Sequence, residues 1–266
     1  MPSFKPLACL IACLLCLPAR ADSNGPLVFC YEDQDSWPWV MLDGSGLNQA
    51  LLNQLGEDLQ LDIRQVPMPW KRCLDGLSRG LYDGAFAASF NPERLALGLY
   101  PGLKDGRPDR DYRLHDASYS LYRIKGSAAD WDGQAFHGIQ GQVGSLSGFS
   151  IIPMLLKHGL QVEETSRDPV ALMRMLHGHR FDVAAMQTLR ADTVLADHPD
   201  LAADIEKRPI PLEQKDYYLM LSHQRVQTTP QLAQAIWEEV RRQRESDAYR
   251  QRLQSTLGKA PLNRLR

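Results

Sequence analysis

The sequence predicts an α/β protein of two lobes, each a mixed, mostly parallel sheet flanked by helices, with two hinge strands between them. Three features point there. Compact apolar runs alternate with amphipathic stretches at helical spacing, the pattern of βαβ units. Two such series occur, with a junction near Lys125-Gly126-Ser127. Extended runs at 119–124 and 217–221 bracket the second series, so the chain enters and leaves it on strands.

The first series opens with Leu27-Val28-Phe29-Cys30-Tyr31, a run of the kind buried in a parallel sheet. A polar and aromatic loop, 32–39, follows at its carboxyl end. Asp43-Gly44 makes a turn, and Leu47, Leu51, Leu52 and Leu55 mark an amphipathic helix. Residues 61–66 alternate as a strand. Pro69 opens a second helix carrying Trp70, Cys73, Leu74 and Leu77, and Gly80 ends it. The third strand is 82–87, and the charged, Gly- and Pro-rich stretch 102–111 reads as an exposed loop. The second series runs strand 137–143, helix 150–156, strand 161–164, helix 169–176, strand 181–186 and helix 188–196. Helices at 233–242 and 248–257 close the chain. The expected lobes are 22–123 with 216–266, and 124–215.

The first 21 residues have the form of an export signal. Lys5 precedes an apolar run at 7–17, and Ala19-Arg20-Ala21 matches a cleavage site. The run is shorter than the roughly 20 apolar residues of a membrane span, and no later segment qualifies. Leu10-Ile11-Ala12-Cys13 offers an alternative, a lipid anchor at Cys13, although the apolar run continues well past that residue. Cleavage leaves 245 of the 266 residues, and loss of Lys5 and Arg20 takes the formal charge from −2 to −4. A mildly acidic chain without a basic stripe lacks the footprint of a nucleic-acid binder. Arg241-Arg242-Gln243-Arg244 reads as a solvated helix face. Cys30 and Cys73 are the cysteines left after cleavage. In an exported chain they are expected to form a disulfide, the alternative being two buried thiols.

The segment from Asp83 through Ser89 to Arg94 carries the strongest candidate site. Asn91 suits an N-cap and Pro92 a first helical position, so the turn is fixed. It presents Ser89 and Arg94 at the carboxyl end of a strand, where open α/β sheets bind ligands. The arginine fork matches a carboxylate with paired charge-assisted hydrogen bonds. The plain alternative is a solvent-facing arginine on a connecting helix. A second candidate is Gly144-Ser145-Leu146-Ser147-Gly148-Phe149-Ser150, a strand-to-helix turn whose N–H groups suit an anion. It is neither a nucleophile elbow nor a Walker loop, and its other reading is purely structural. His177 and His179 lack a metal-ligand spacing and read as solvated or capping residues. Glu32, Asp33 and Asp35 read as loop acids, one of which reads a ligand's polar end, the alternative being a catalytic carboxylate pair. Trp37, Trp39 and Trp70 are packing residues or covers for a ligand, and Trp37 and Trp70 join the candidate ligand-facing set.

The ordered set Phe29-Cys30-Tyr31-Glu32, Gly46-Leu47-Asn48, Pro69-Trp70-Lys71-Arg72, Asp83-Gly84-Ala85, Ser89 to Arg94, Val143-Gly144 to Gly148 and Phe181-Asp182-Val183-Ala184-Ala185 resembles the periplasmic solute-binding proteins of family 3. These are the polar amino-acid binding components of ABC importers, with the type II periplasmic-binding-protein fold. The resemblance implies a monomer whose lobes close over a small ligand, with no cofactor and an inner-membrane permease as partner. It makes Arg94 the ligand-carboxylate partner, assisted by Ser89, and gives Gly148, Phe149 and Ser150 the second lobe's carboxylate-binding turn. Tyr31, Glu32 and Trp37 fall where the family lines its side-chain pocket. Thr188 stands where the amino-acid binders place an ammonium-holding aspartate, so Glu32 or another acid must substitute, or the ligand is a different small carboxylate. Two other roles stay open: a sensory module facing a membrane receptor, and a dehydratase-like enzyme using Glu32.

Overall fold

The structure, a computed structural model, describes residues 25–258. The expected export segment and Cys13 lie outside the described residues. Strand β1 (Leu27–Glu32), helix α1 (Leu47–Leu59), β2 (Ile63–Met68), α2 (Trp70–Ser78) and β3 (Gly84–Ser89) make the first series. The chain then runs along β4 (His115–Ile124) into a hairpin of β5 (Asp130–Trp131) and β6 (Phe136–His137). The second series is β7 (Gln142–Ser145), α3 (Ile152–Lys157), β8 (Gln161–Glu163), α4 (Pro169–His177), β9 (Val183–Gln187) and α5 (Thr188–Asp197). After α6 (Pro199–Asp204) and β10 (Ile205–Lys207), the chain returns on β11 (Glu213–Leu221) and ends in α7 (His223–Thr228), α8 (Pro230–Arg244) and α9 (Asp247–Gly258).

Nine strands form one mixed sheet in the order β2-β1-β3-β11-β4-β9-β7-β8, with β10 beside β4, and β5 and β6 pair separately. Within each half the strands of the βαβ series are parallel, and the returning strands β4 and β11 are antiparallel to their neighbours. Both returning strands change partner part-way. β4 pairs with β11 up to Tyr119 and with β9 from Tyr119 onward. β11 pairs with β4 up to Tyr217 and with β3 from Tyr217 onward. The expected lobe junctions at 123/124 and 215/216 therefore fall inside these two strands.

Alternation along the strands divides the core. Leu27, Phe29 and Tyr31 face α1 and α8, packing on Leu51, Leu55, Ile236 and Trp237, while Cys30 faces α2 with Leu74 and Leu77. Cys30 and Cys73 are bonded and fully buried, joining β1 to α2. Asp83 locks the start of β3: its carboxylate accepts from Val28 N at 2.8 Å and from Arg225 Nε at 2.8 Å.

One expected strand is split. Residues 137–143 do not run straight, because Gly138 takes a left-handed φ of +64° and ends β6 before β7 starts at Gln142. A side chain there would strike the Ala128 carbonyl, so the glycine also permits close approach of the hairpin.

Candidate functional site

The carboxyl ends of β1, β3 and β9 converge on a narrow cavity between the two halves of the sheet. About 40 Å³ of it admits the centre of a water molecule, room for a few waters. The first half supplies Glu32, Trp39, Trp70, Ser89, Arg94 and His115, and the second Phe149, Ser150, Gln187 and Arg190. Tyr119 and Tyr217, where β4 and β11 change partners, form the wall between them.

A β-bulge shapes the first wall. Phe86 and Ala87 of β3 stand opposite Leu219 of β11, and Ala87 adopts φ +55°. The extra residue breaks strand alternation, so Phe86 and Ala87, although adjacent, both border the cavity. Tyr31 lies behind this wall, its ring 4.8 Å from that of Phe86 and its hydroxyl accepting from Gln49.

Arg94 is where the turn chemistry directs it. Asn91 caps the 3₁₀ turn Pro92–Ala96 by accepting from Glu93 N, and the guanidinium swings inward to 5% exposure. Its Nη1 donates to Ser89 O at 2.8 Å, and its Nη2 reaches across the cavity to Gly148 O at 3.0 Å. The Trp70 ring lies beneath it at 5.2 Å. The solvent-facing alternative for Arg94 is thereby excluded. Beside it the hydroxyls of Ser89 and Ser150 share a 2.6 Å hydrogen bond between the halves.

In the 144–150 turn three backbone donors already have partners within the protein. Ser147 N donates to Ser166 O, Gly148 N to the Glu164 carboxylate at 2.9 Å and Phe149 N to Leu146 O. The carboxylate of Glu164 takes the Gly148 donor, while Phe149 and Ser150 line the cavity and the Gly148 carbonyl accepts from Arg94.

Glu32 meets a partner absent from the sequence reading. Arg190 of α5, 5% exposed, brings Nη1 to 2.8 Å from Glu32 Oε2, with the N–H off the oxygen's direction. Its Nε has no hydrogen-bond partner, and the Phe149 ring lies 5.4 Å from the guanidinium. Burial pushes the Glu32 carboxyl upward in pKa, and the Arg190 charge pulls it partly back. The signal for Arg190 was present: it shares the buried face of α5 with Ala191 and Val194, at helical spacing.

His115 is another unforeseen lining residue. Its ring is stacked between Trp39 at 4.3 Å and Tyr217 at 4.7 Å, and its Nδ1 lies 3.2 Å from the Asn48 amide. Burial lowers its pKa to about 3, so the imidazole is neutral at physiological pH. Gln187 donates to Tyr217 Oη at 2.7 Å, leaving its own Oε1 unpartnered, and Trp39 Nε1 is likewise unpartnered.

Among the candidate residues, Glu32, Trp70, Ser89, Arg94, Phe149 and Ser150 come together at the cavity. Tyr31, Trp37, Gly148 and Thr188 are not in its lining; Trp39, two residues on, stands there in place of Trp37. The Thr188 hydroxyl is turned to β4, bonded to Ser118 Oγ at 2.7 Å and Ser120 Oγ at 2.8 Å. His177 pairs with Asp204 at 2.9 Å on the surface. Among the described residues no His, Cys, Asp and Glu cluster fits a metal ion, and no helix is long and apolar enough to cross a membrane.

No family model and no curated protein matches the chain. Solved structures do. The arginine-, lysine-, histidine-binding protein ArtJ from Geobacillus stearothermophilus superposes with a TM-score of 0.70 at 13% identity, over 90% of this chain and 97% of that one. A histidine kinase sensor domain with similarity to periplasmic binding proteins gives 0.70 at 13%, over 88% and 96%. The GluR0 ligand-binding core from Nostoc punctiforme, in complex with L-glutamate, gives 0.67 at 13%, over 86% and 98%. At such identities the likeness concerns the fold, and the fold is the two-lobe, type II periplasmic-binding-protein-like architecture.

Proposed function

We propose that this two-lobe fold serves as an exported solute-binding protein that closes on a small carboxylate ligand and hands the occupied form to a membrane partner. Arg94 carries the reading. A guanidinium buried between the halves, bonded on one side to Ser89 and on the other to Gly148, is placed to exchange the Gly148 carbonyl for a ligand carboxylate. The lobes hinge where β4 and β11 change partners, at Tyr119 and Tyr217, with 22–123 and 216–266 as one lobe and 124–215 as the other. The narrow cavity corresponds to the closed arrangement, and opening at these strands admits the ligand.

Delivery to an ABC permease in the periplasm is the leading role. A sensory role is the second reading, favoured by the histidine kinase sensor domain among the similar structures. Glu32 is held by Arg190, which suits a binding carboxylate better than a catalytic one.

The test is a thermal-shift screen of small carboxylates on the wild type and Arg94→Ala. A micromolar ligand at millimolar concentration stabilises the native state by about 4 kcal/mol. The expected result is stabilisation of the wild type and none of the variant, with unchanged circular dichroism. Equal stabilisation of both refutes the role of Arg94.

A further inference from the structure

We propose that Arg190 is a second carboxylate anchor and that the cavity selects a small amino acid bearing two carboxylates and one ammonium group. This rests on the carboxylate-binding reading above and specifies its ligand.

The charged groups lining the cavity are Arg94, Arg190 and Glu32. Neutral His115 adds no charge, so the lining holds two cations and one anion. Its electrostatic complement is a ligand with two anionic groups and one cationic group. A neutral amino acid leaves one guanidinium without an anion, and a diacid lacking nitrogen leaves Glu32 facing like charges. In a buried site each mismatch exposes an uncompensated charge, which costs more than a missing neutral hydrogen bond.

The unpartnered atoms have the same pattern. Three are donors, Arg190 Nε and Nη1 and Trp39 Nε1, and one is an acceptor, Gln187 Oε1. Buried polar groups in native proteins are nearly always paired, so four at one cavity mark positions that a ligand completes. The donors suit carboxylate oxygens, and Gln187 Oε1 joins Glu32 in accepting from an ammonium. Gln187 is oriented for this by its bond to Tyr217, and Arg190 is held over Phe149.

The present contacts resemble the proposed complex with protein groups standing in for the guest. Glu32 stands at ion-pair distance from Arg190, where a guest's carboxylate would lie, and the Gly148 carbonyl occupies Arg94. Both contacts cross between the halves, so opening releases both guanidinium groups together. No other side chain in the lining supplies a positive charge, which makes Arg190 the specificity-determining residue for the second acid group.

The test is titration calorimetry on the full chain with L-aspartate and L-glutamate, their amides asparagine and glutamine, and the diacids succinate and glutarate. Aspartate or glutamate is expected to bind at least about tenfold tighter than its own amide and its own deaminated diacid. In the double variant Glu32→Gln/Arg190→Gln, which leaves no single buried charge behind, the preference for acid over amide is expected to fall to within about threefold. An amide or a diacid that binds the wild type as tightly as the amino diacid overturns the inference while leaving the Arg94 reading standing. An undiminished preference in the double variant overturns the role of Arg190. Absence of binding by every compound in the panel, together with no response to other carboxylates in the thermal-shift screen, removes both readings.

Discussion

His115 shows what burial does to a single side chain. Stacked between Trp39 and Tyr217 and only 6% exposed, its imidazole is pushed down to about 3 from its usual 6.5. Above pH 6.5 the folded and unfolded chains both hold the ring neutral, and the residue gives stability no pH dependence. Below that value only the unfolded chain takes the proton, so stability falls continuously toward pH 3. Between pH 7 and pH 5 the loss from this residue amounts to about 2 kcal/mol. His115→Phe keeps a ring in the stack and removes the titration. Urea unfolding at the two pH values should therefore show the variant losing about 2 kcal/mol less than the wild type. Identical losses would mean that the imidazole is solvated. A lone histidine at the start of an extended run gives no sequence signal for any of this, because its partners lie at positions 39, 48 and 217. Arg94 was legible by contrast, since Asn91 and Pro92 are local cues that fix the turn presenting it.

At the scale of elements, the disulfide ties the first strand to the second helix across a sequence separation of 43 residues. Closing a loop of that length removes denatured-state freedom worth on the order of 4 kcal/mol. The double variant Cys30→Ala/Cys73→Ala is expected to unfold about 2–4 kcal/mol more easily in urea, with its ligand specificity retained. A change below about 0.5 kcal/mol would show that the bridge stabilises little. The elements most legible in the sequence were the βαβ repeats, whose apolar runs and Pro and Gly boundaries are local. The β5–β6 hairpin, β10 and α7 escaped, because short segments owe their form to neighbours distant in sequence. Ile205 of β10, for example, pairs with Ile124 on the end of β4. The 144–150 turn was correctly placed between strand and helix, yet its donors could not be assigned without Glu164 and Ser166, which approach from the following strand and loop.

For the whole molecule, the rim of the cleft is bridged by Lys71 with Glu164 at 3.0 Å and Arg167 with Asp33 at 3.2 Å. These side chains are substantially exposed, and exposed ion pairs contribute roughly 0–1 kcal/mol. In the proposed closing motion the rim therefore contributes weakly and the buried arginines govern it. Lys71→Ala and Arg167→Ala are each expected to change ligand affinity by less than about fivefold in calorimetry, and less still in high salt. A hundredfold loss from either would transfer the main closing force to the rim. The two-lobe plan was readable because a pair of extended runs brackets a self-contained series. What the sequence did not disclose is that both runs belong to one continuous sheet and change partners beside the cavity.

Two of the five tryptophans border the cavity, one stacked on a neutral imidazole and the other under a guanidinium. Indole emission depends on the polarity and charge around the ring, and a guest bound as proposed would alter both at once. On the proposed function the molecule carries its own optical reporter, and occupancy is expected to register in unlabelled protein by its intrinsic light.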